Sequence, residues 1–434
     1  MIGRATLQLR ERAPVKQHIE DTSRAYFPTK GTQWSEVKQQ LAAFKDRDIG
    51  QNQGRLNVYC HQGTPELQTI RDEAYTMFSH GNAMLGGFME GSGTMEAEVL
   101  RMALEILNGA ENGVGFITTG GTESIFCAMH AAREWALVNR PVPGKPEIIT
   151  PYSAHAAFDK ACHFLGMNIV RVALGDDLYA DVAAMEAAVT ENTIAIMGSA
   201  PCWPYGLIDL ITEIAAVAMR HNLWMHVDAC VGGYINPWLE RLGYDIPTFD
   251  FRVPGVRSMS ADLHKHGYAA KPCSTVLYSS KDAETYHYVP VDNWPIGEYR
   301  TAGMVGSRPA GSIATAWAVM NVLGEEGYIE MARQCMAVKE RLVEGIEKIE
   351  DLKCLKNDST MIYFRSETLD MMTIMGGLSE RGYFPFGVFN PPMLQLVPEP
   401  TSDEVIDDYL RTLAEVVSGV KDGTITSTAL ARYT

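Results

Sequence analysis

Between Gly113 and Ser279 short apolar runs alternate with longer amphipathic ones, and that rhythm narrows the possible folds more than any other feature. The apolar runs are Gly113 to Thr119, Glu147 to Pro151, Asn168 to Leu174, Ile194 to Ser199, Leu223 to Val227, Arg257 to Ala261 and Thr275 to Ser279. Their length suits strands rather than helices. Helical patterns fall at Ile125 to Val138, Tyr179 to Glu191 and Ile211 to His221. Strands alternating with helices imply an α/β chain. In such a chain the loops at the carboxyl ends of the strands lie on the ligand side.

Chemistry-bearing residues gather at those loops. The run Ser258 to Ser274 holds Lys265 among small and polar residues, beside His264. A lysine set there suits an amine that condenses with an aldehyde, and burial beside other cationic groups would lower its pKa. Asp228 ends an apolar run, where its carboxylate can hold a protonated pyridine nitrogen. That pair is what pyridoxal 5'-phosphate requires. Gly120-Gly121-Thr122 joins a strand to a helix, the geometry of an anion site, although a glycine pair is also an ordinary turn. With Asp228 and Lys265 downstream, Gly121 and Thr122 are assigned to the cofactor phosphate. Ser260 and His264 are within reach of the same phosphate.

Three stretches resemble the sphingosine-1-phosphate lyase family, of the group II decarboxylase branch of fold-type I pyridoxal phosphate enzymes. They are His226 to Gly233, Phe249 to Arg252 and Ser260 to Tyr268, and the likeness extends from about Gly54 to about Arg333. The resemblance implies an aspartate aminotransferase-like fold. A large domain would carry a mainly parallel seven-stranded sheet, with a small C-terminal α/β domain beside it. It also implies that His155 stacks on the cofactor ring and that Ala229 lies beneath it. Gly306 and Ser307, in Gly-Ser-Arg-Pro, would reach the partner's cofactor phosphate, which implies an obligate homodimer. Tyr59, Asn82 and Lys271 match substrate-binding positions. Tyr59 reads equally as a packing residue and Lys271 as an exposed loop charge.

The chain departs from the family at several positions. Leu85 stands where a phosphate-holding His is expected, Tyr205 also replaces a His, and Thr301-Ala302-Gly303 replaces Ser-Pro-Thr. Leu85 argues against a long-chain phosphorylated amino alcohol as substrate. The expected activity is an aldehyde-lyase (retro-aldol) acting on a small β-hydroxy amine or amino acid, with or without a phosphate. The alternative is an L-amino-acid decarboxylase.

A length of 434 residues suggests two domains and an arm. The expected boundaries are 1–60 for the arm, 61–320 for the large domain and 321–434 for the small one. The arm reads as poorly ordered or as wrapping a second subunit, with a short helix over Ser35 to Phe44. Further helices are expected over Gln62 to His80, Thr94 to Leu107, Ser312 to Leu323, Tyr328 to Ile349 and Asp403 to Gly423. Small-domain strands are expected at Met361 to Ser366, Gly382 to Val388 and Met393 to Val397. A net charge of −16 argues against nucleic acid and anionic membranes as partners. Eight cysteines without a CxxC pair read as reduced thiols, neither a disulfide framework nor a zinc site. No segment reads as a secretory signal or a membrane span. A soluble cytoplasmic protein is therefore expected, bacterial in type because eukaryotic members of the family carry an anchor.

Overall fold

The computed structural model describes residues 29–46, 61–85, 88–109 and 111–427. Two units divide the chain, Met1–Asn52 and Gln53–Thr434. The first contributes α1 (Trp34–Lys45), whose apolar Trp34, Leu41 and Phe44 are exposed. In the second, α2 (Pro65–Met77) begins at Thr64, whose side chain accepts from Leu67 N, with Pro65 in the first turn. That cap and that proline set the start of the helix. A 3₁₀ turn (Ala83–Leu85) and α3 (Glu90–Ile106) follow.

The seven expected strands form one sheet. They are β1 (Val114–Thr118), β2 (Glu147–Pro151), β3 (Asn168–Val172), β4 (Thr193–Ser199), β5 (Trp224–Asp228), β6 (Val256–Ala261) and β7 (Ser274–Tyr278). Their spatial order is β1-β7-β6-β5-β4-β2-β3, and only β7 runs against its neighbours. Because β7 opposes both β6 and β1, these two point the same way. The carboxyl ends of β1, β6, β5, β4 and β2 therefore share one edge. Interleaved helices are α4 (Gly121–Asn139), α5 (Ala157–Leu165), α6 (Val182–Ala187), α7 (Ile211–Arg220) and α8 (Asn236–Arg241). Successive strand residues enter opposite cores. Ile149, Ile196, Met225 and Met259 pack on one face, Ile148, Met197, Trp224 and Val276 on the other. Burial on both faces explains why these strands read as continuous apolar runs.

The helix expected over Tyr179 to Glu191 is much shorter. Ala180 bridges to Leu174, and Asp181 caps α6 by accepting from Ala184 N at 2.9 Å. After α9 (Lys281–Thr285), an exposed hairpin of β8 (Val291–Trp294) and β9 (Gly297–Tyr299) was not foreseen. The two helices expected near the C-terminal third merge into α10 (Ala310–Glu347), bent at Gly324 (φ 53°). The expected boundary at 320/321 falls inside α10, just before this bend. A four-stranded antiparallel sheet follows, ordered β10 (Lys353–Leu355), β11 (Ile362–Arg365), β13 (Pro392–Leu396) and β12 (Phe386–Phe389). It packs with α11 (Met371–Glu380) and α12 (Asp403–Lys421) around a separate core that includes Leu342, Phe364, Leu378 and Leu413. No described helix is long and apolar enough to cross a membrane.

Candidate active site

A cavity of about 390 Å³ opens at the shared strand edge. That is a usual size for a small-molecule site. Thr119 to Glu123 line it from the β1–α4 turn, and His155 from the loop after β2. Trp203 enters after β4, Asp228 at the end of β5 and Cys230 just beyond it, and Asp262, His264, Lys265 and Lys271 after β6. Six of the residues singled out in the sequence therefore meet here: Gly121, Thr122, His155, Asp228, His264 and Lys265, with Lys271 exposed at the rim.

Lys265 Nζ lies 2.8 Å from Asp262 Oδ2, and His264 Nε2 lies 3.8 Å from the same oxygen. The neighbourhood of the lysine is thus not purely cationic, as the sequence suggested; the strongest neighbour is a buried carboxylate. Burial alone would push the Asp262 carboxyl up, but Lys265 and His264 overcome it and hold it below the usual range. Asp262 was not singled out beforehand. Its placement three residues before Lys265 was the available signal.

Asp228 is held by its own backbone and by the next strand. Cys230 N donates to its Oδ1 at 3.1 Å and Ser260 Oγ donates to the same oxygen at 3.2 Å. A buried chain stands behind Ser260. Trp224 Nε1 donates to Ser258 Oγ at 2.8 Å, Ser258 Oγ lies 2.9 Å from His226 Nδ1, and His226 Nε2 lies 3.3 Å from Ser260 Oγ. A neutral His226 completes this chain in one direction, each group donating toward Asp228. Burial supports that state, lowering the His226 pKa from its ordinary 6.5 to about 4. Ser260 is therefore a correction. It is fully buried, paired opposite Asp228 in the sheet register, and orients that carboxylate rather than reaching a phosphate. Ala229 is likewise fully buried, its N–H donating to Ser260 O at 2.9 Å.

Gly120 adopts φ 150° and ψ 167°, a region essentially closed to other residues. A Cβ on Gly121 would stand 2.7 Å from Cys230 Sγ and 3.0 Å from both Asp262 carboxylate oxygens. The glycines thus let the start of α4 approach the ends of β5 and β6. His264 Nδ1 accepts from Cys273 N at 3.2 Å, and His155 Nδ1 accepts from Ala157 N at 3.1 Å, which leaves the proton of each neutral ring on Nε2. Burial keeps both rings neutral, lowering His264 to about 4 and His155 in the same direction. Glu123 reaches back to Thr119 N at 2.7 Å and also accepts from Met304 N at 2.8 Å.

Five expected residues do not line this cavity, Ser260 and Ala229 described above and Asn82, Gly306 and Ser307, and a sixth cannot be placed. Asn82 donates to Ser307 Oγ at 3.0 Å and accepts from Arg308 N at 3.1 Å. Gly306 and Arg308 line a different cavity, beside Met84 and Arg300. Arg308 is fixed there by a paired contact with Glu96 at 2.6 and 3.0 Å. Tyr59 lies outside the described residues. Tyr205 turns away from the cavity, its hydroxyl donating to Asn390 O at 2.6 Å.

The residues present fit pyridoxal 5'-phosphate. Both bonds found for the Asp228 side chain fall on Oδ1, so Oδ2 is the oxygen that would meet a ring nitrogen. A primary amine, two neutral imidazoles and a helix N-terminus behind two glycines complete the donor set. Gly121→Ala is expected to lower cofactor affinity about tenfold, because overpacking costs roughly 1–3 kcal/mol; an absorbance titration checks this. The histidines set a pH dependence. Folded pKa values near 4 lie below the ordinary 6.5, so between them the unfolded chain binds more protons. Their contribution is full above about pH 6.5 and is lost as pH falls toward about 4. Thermal melts across that window should show the loss, and His226→Gln should flatten it.

Residues 93–367 match the pyridoxal-dependent decarboxylase conserved domain. Rat sphingosine-1-phosphate lyase 1 is 37% identical over 359 residues, covering 82% of this chain. The aligned region spans 63% of the length of that relative. The solved sphingosine-1-phosphate lyase of Burkholderia pseudomallei superposes with a TM-score of 0.87 at 32% identity, over 95% of this chain and 96% of that one. A probable L-tyrosine/L-aspartate decarboxylase of Methanothermobacter thermautotrophicus is 30% identical over 84% of this chain and 97% of its own.

Proposed function

The chain belongs to the sphingosine-1-phosphate lyase family of pyridoxal-dependent decarboxylases, and from that membership we propose that it is an aldehyde-lyase. Its substrate is a small β-hydroxy amine or amino acid, with or without a phosphate, and the bond cleaved is Cα–Cβ. The observation that carries the reading is the meeting of Lys265, Asp228, His155 and His264 on one cavity with the α4 N-terminus. Pyridoxal 5'-phosphate, when bound, withdraws electrons from whichever Cα bond stands perpendicular to its ring.

The chain's residues divide the remaining work. Lys265 supplies the amine that anchors the cofactor aldehyde, and the Asp262 carboxylate, 2.8 Å away, orients it. Asp228 Oδ2 keeps the ring nitrogen protonated. The first N–H groups of α4 and His264 Nε2–H bind the phosphate. His155 covers one ring face. Lys265 Nζ, as general base, receives the proton of the substrate's β-hydroxyl. Lys271 at the rim offers a cation to a substrate that carries phosphate.

The decarboxylase reading is favoured by one observation, the likeness to the Methanothermobacter protein. Product analysis separates the two. Cofactor-loaded protein is incubated with threonine, β-phenylserine, phosphorylated amino alcohols, tyrosine and aspartate. Aldehyde from the β-hydroxy substrates supports the lyase. Carbon dioxide from tyrosine or aspartate, with no aldehyde anywhere, replaces it with the decarboxylase.

A homodimer in a reducing, cytoplasmic setting is part of the proposal. Asn82, Gly306 and Ser307 lie away from the cavity of their own chain, as residues serving a partner's site would, and the seven described cysteines are free thiols. Mixing inactive Lys265→Ala subunits with Ser307→Trp subunits should restore about half of the activity per mixed dimer, because one of its two composite sites is intact. Absence of any recovery in verified mixed dimers would remove the shared site.

A further inference from the structure

We propose that Gln395 and Tyr363, in the small-domain sheet, are positioning residues that set side-chain selectivity by holding the Trp203 wall of the cavity. The claim rests on the reading of that cavity as an amine-binding site. Trp203 lies in the loop that follows β4 and lines the cavity with Lys265 and Asp228. Its carbonyl oxygen accepts from Tyr363 Oη–H at 2.5 Å and from Gln395 Nε2 at 2.9 Å. Its ring meets Phe386 of β12 edge-on, with centroids 5.4 Å apart. Gln395 and Tyr363 are adjacent on paired strands, and Gln395 Nε2 also reaches the Tyr363 hydroxyl at 2.5 Å. Neither residue lines the cavity.

Both donors are inaccessible, Gln395 at 1% exposure and Tyr363 at 0%. Water therefore does not replace a donor that is removed, and the wall has to move or leave its carbonyl less satisfied. The same loop carries a second, separate tie to the small domain, from the Tyr205 hydroxyl to Asn390 O at 2.6 Å. Gly206 O adds a third by accepting from Asp358 N at 3.2 Å. One wall of a large-domain pocket is thus placed by the small domain. A hydrophobic pocket discriminates between substrates differing by one methylene by roughly 10- to 200-fold, so a shift of the wall alters that ratio.

The test compares Gln395→Met, Tyr363→Phe and Tyr205→Phe in cofactor-loaded protein. Tyr205→Phe loosens the same domain junction without touching Trp203, and so measures the purely structural share. Dissociation constants for threonine and β-phenylserine are read by absorbance titration, with KM and kcat where turnover occurs. Gln395→Met and Tyr363→Phe should each change the ratio of the two dissociation constants about tenfold. Cofactor affinity and kcat should stay within about threefold, and amide exchange over residues 201–207 should quicken. Tyr205→Phe should leave the ratio unchanged. An unchanged ratio in both clamp variants, or the same change in all three, overturns the proposal. If neither amino acid binds the unsubstituted protein, the amine-site reading fails and takes the clamp with it. If both bind and the ratio does not move, only the clamp fails.

Discussion

Lys265→Ala is expected to abolish turnover, a loss on the order of 10⁴-fold or more, and to leave no cofactor covalently attached. The reason lies in the cavity. Among the described residues the lining holds two lysines, and Lys271 sits exposed at the rim while Lys265 stands beside Asp262 and opens onto the space shared with Asp228. The substitution also has a structural consequence. Lys265 is the largest of the favourable influences that hold the buried Asp262 carboxyl down, so its loss lets burial raise that pKa. Some loss of stability near neutral pH is expected for that reason alone. Lys265→Arg separates the two effects, because a guanidinium keeps a cation near Asp262 but does not lose a proton to become a nucleophile. The arginine variant should keep most of the melting temperature and none of the activity. Mass analysis after borohydride reduction reads the covalent link directly. A cofactor mass increment retained in Lys265→Ala would move the anchor elsewhere.

Asp228→Asn should lower turnover on the order of 10³-fold while the fold persists. An amide of the same shape still accepts from Cys230 N and Ser260 Oγ, so the buried chain from Trp224 to Ser260 keeps its partners. What disappears is the negative charge at Oδ2. Removing one preorganised electrostatic partner typically costs about 10²–10³ in rate. Asp228→Ala should do more damage, because it leaves two buried donors unmet at about 1–3 kcal/mol each. The comparison is read by turnover, cofactor titration and thermal melting. An asparagine variant within about tenfold of full activity would mean that the ring nitrogen is not held at this position.

The sequence made these cavity-lining residues legible because they sit at strand ends, and strand ends are marked by where apolar runs stop. Asp228 closes β5, Gly120 and Gly121 follow β1, and Lys265 follows β6. Motif spacing was enough to find them, since each depends only on its own stretch of chain. Residues that act by touching another strand were misjudged or missed. Ser260 was assigned to the phosphate, because its role depends on lying opposite Asp228 in the paired strand. His226 and Ser258 look like strand filler until that register is known. The loop from Ala200 to Gly206 reads as ligand-side because it follows a strand, but the bonds to Trp203 O from Tyr363 and Gln395 are not legible, since those residues lie far away in sequence.

By itself, then, the chain's order of residues determined the seven strands, the α/β class and the amine–carboxylate pair, all of which follow from local periodicity and local chemistry. Tertiary structure alone decided the strand order, the reversal of β7 and the pairing of Ser260 with Asp228. It also decided that Trp203 O meets Tyr363 and Gln395. The physical reason is that a side chain's reach is a few ångströms, whereas the partners that complete these contacts lie on separate strands and domains that only folding brings together.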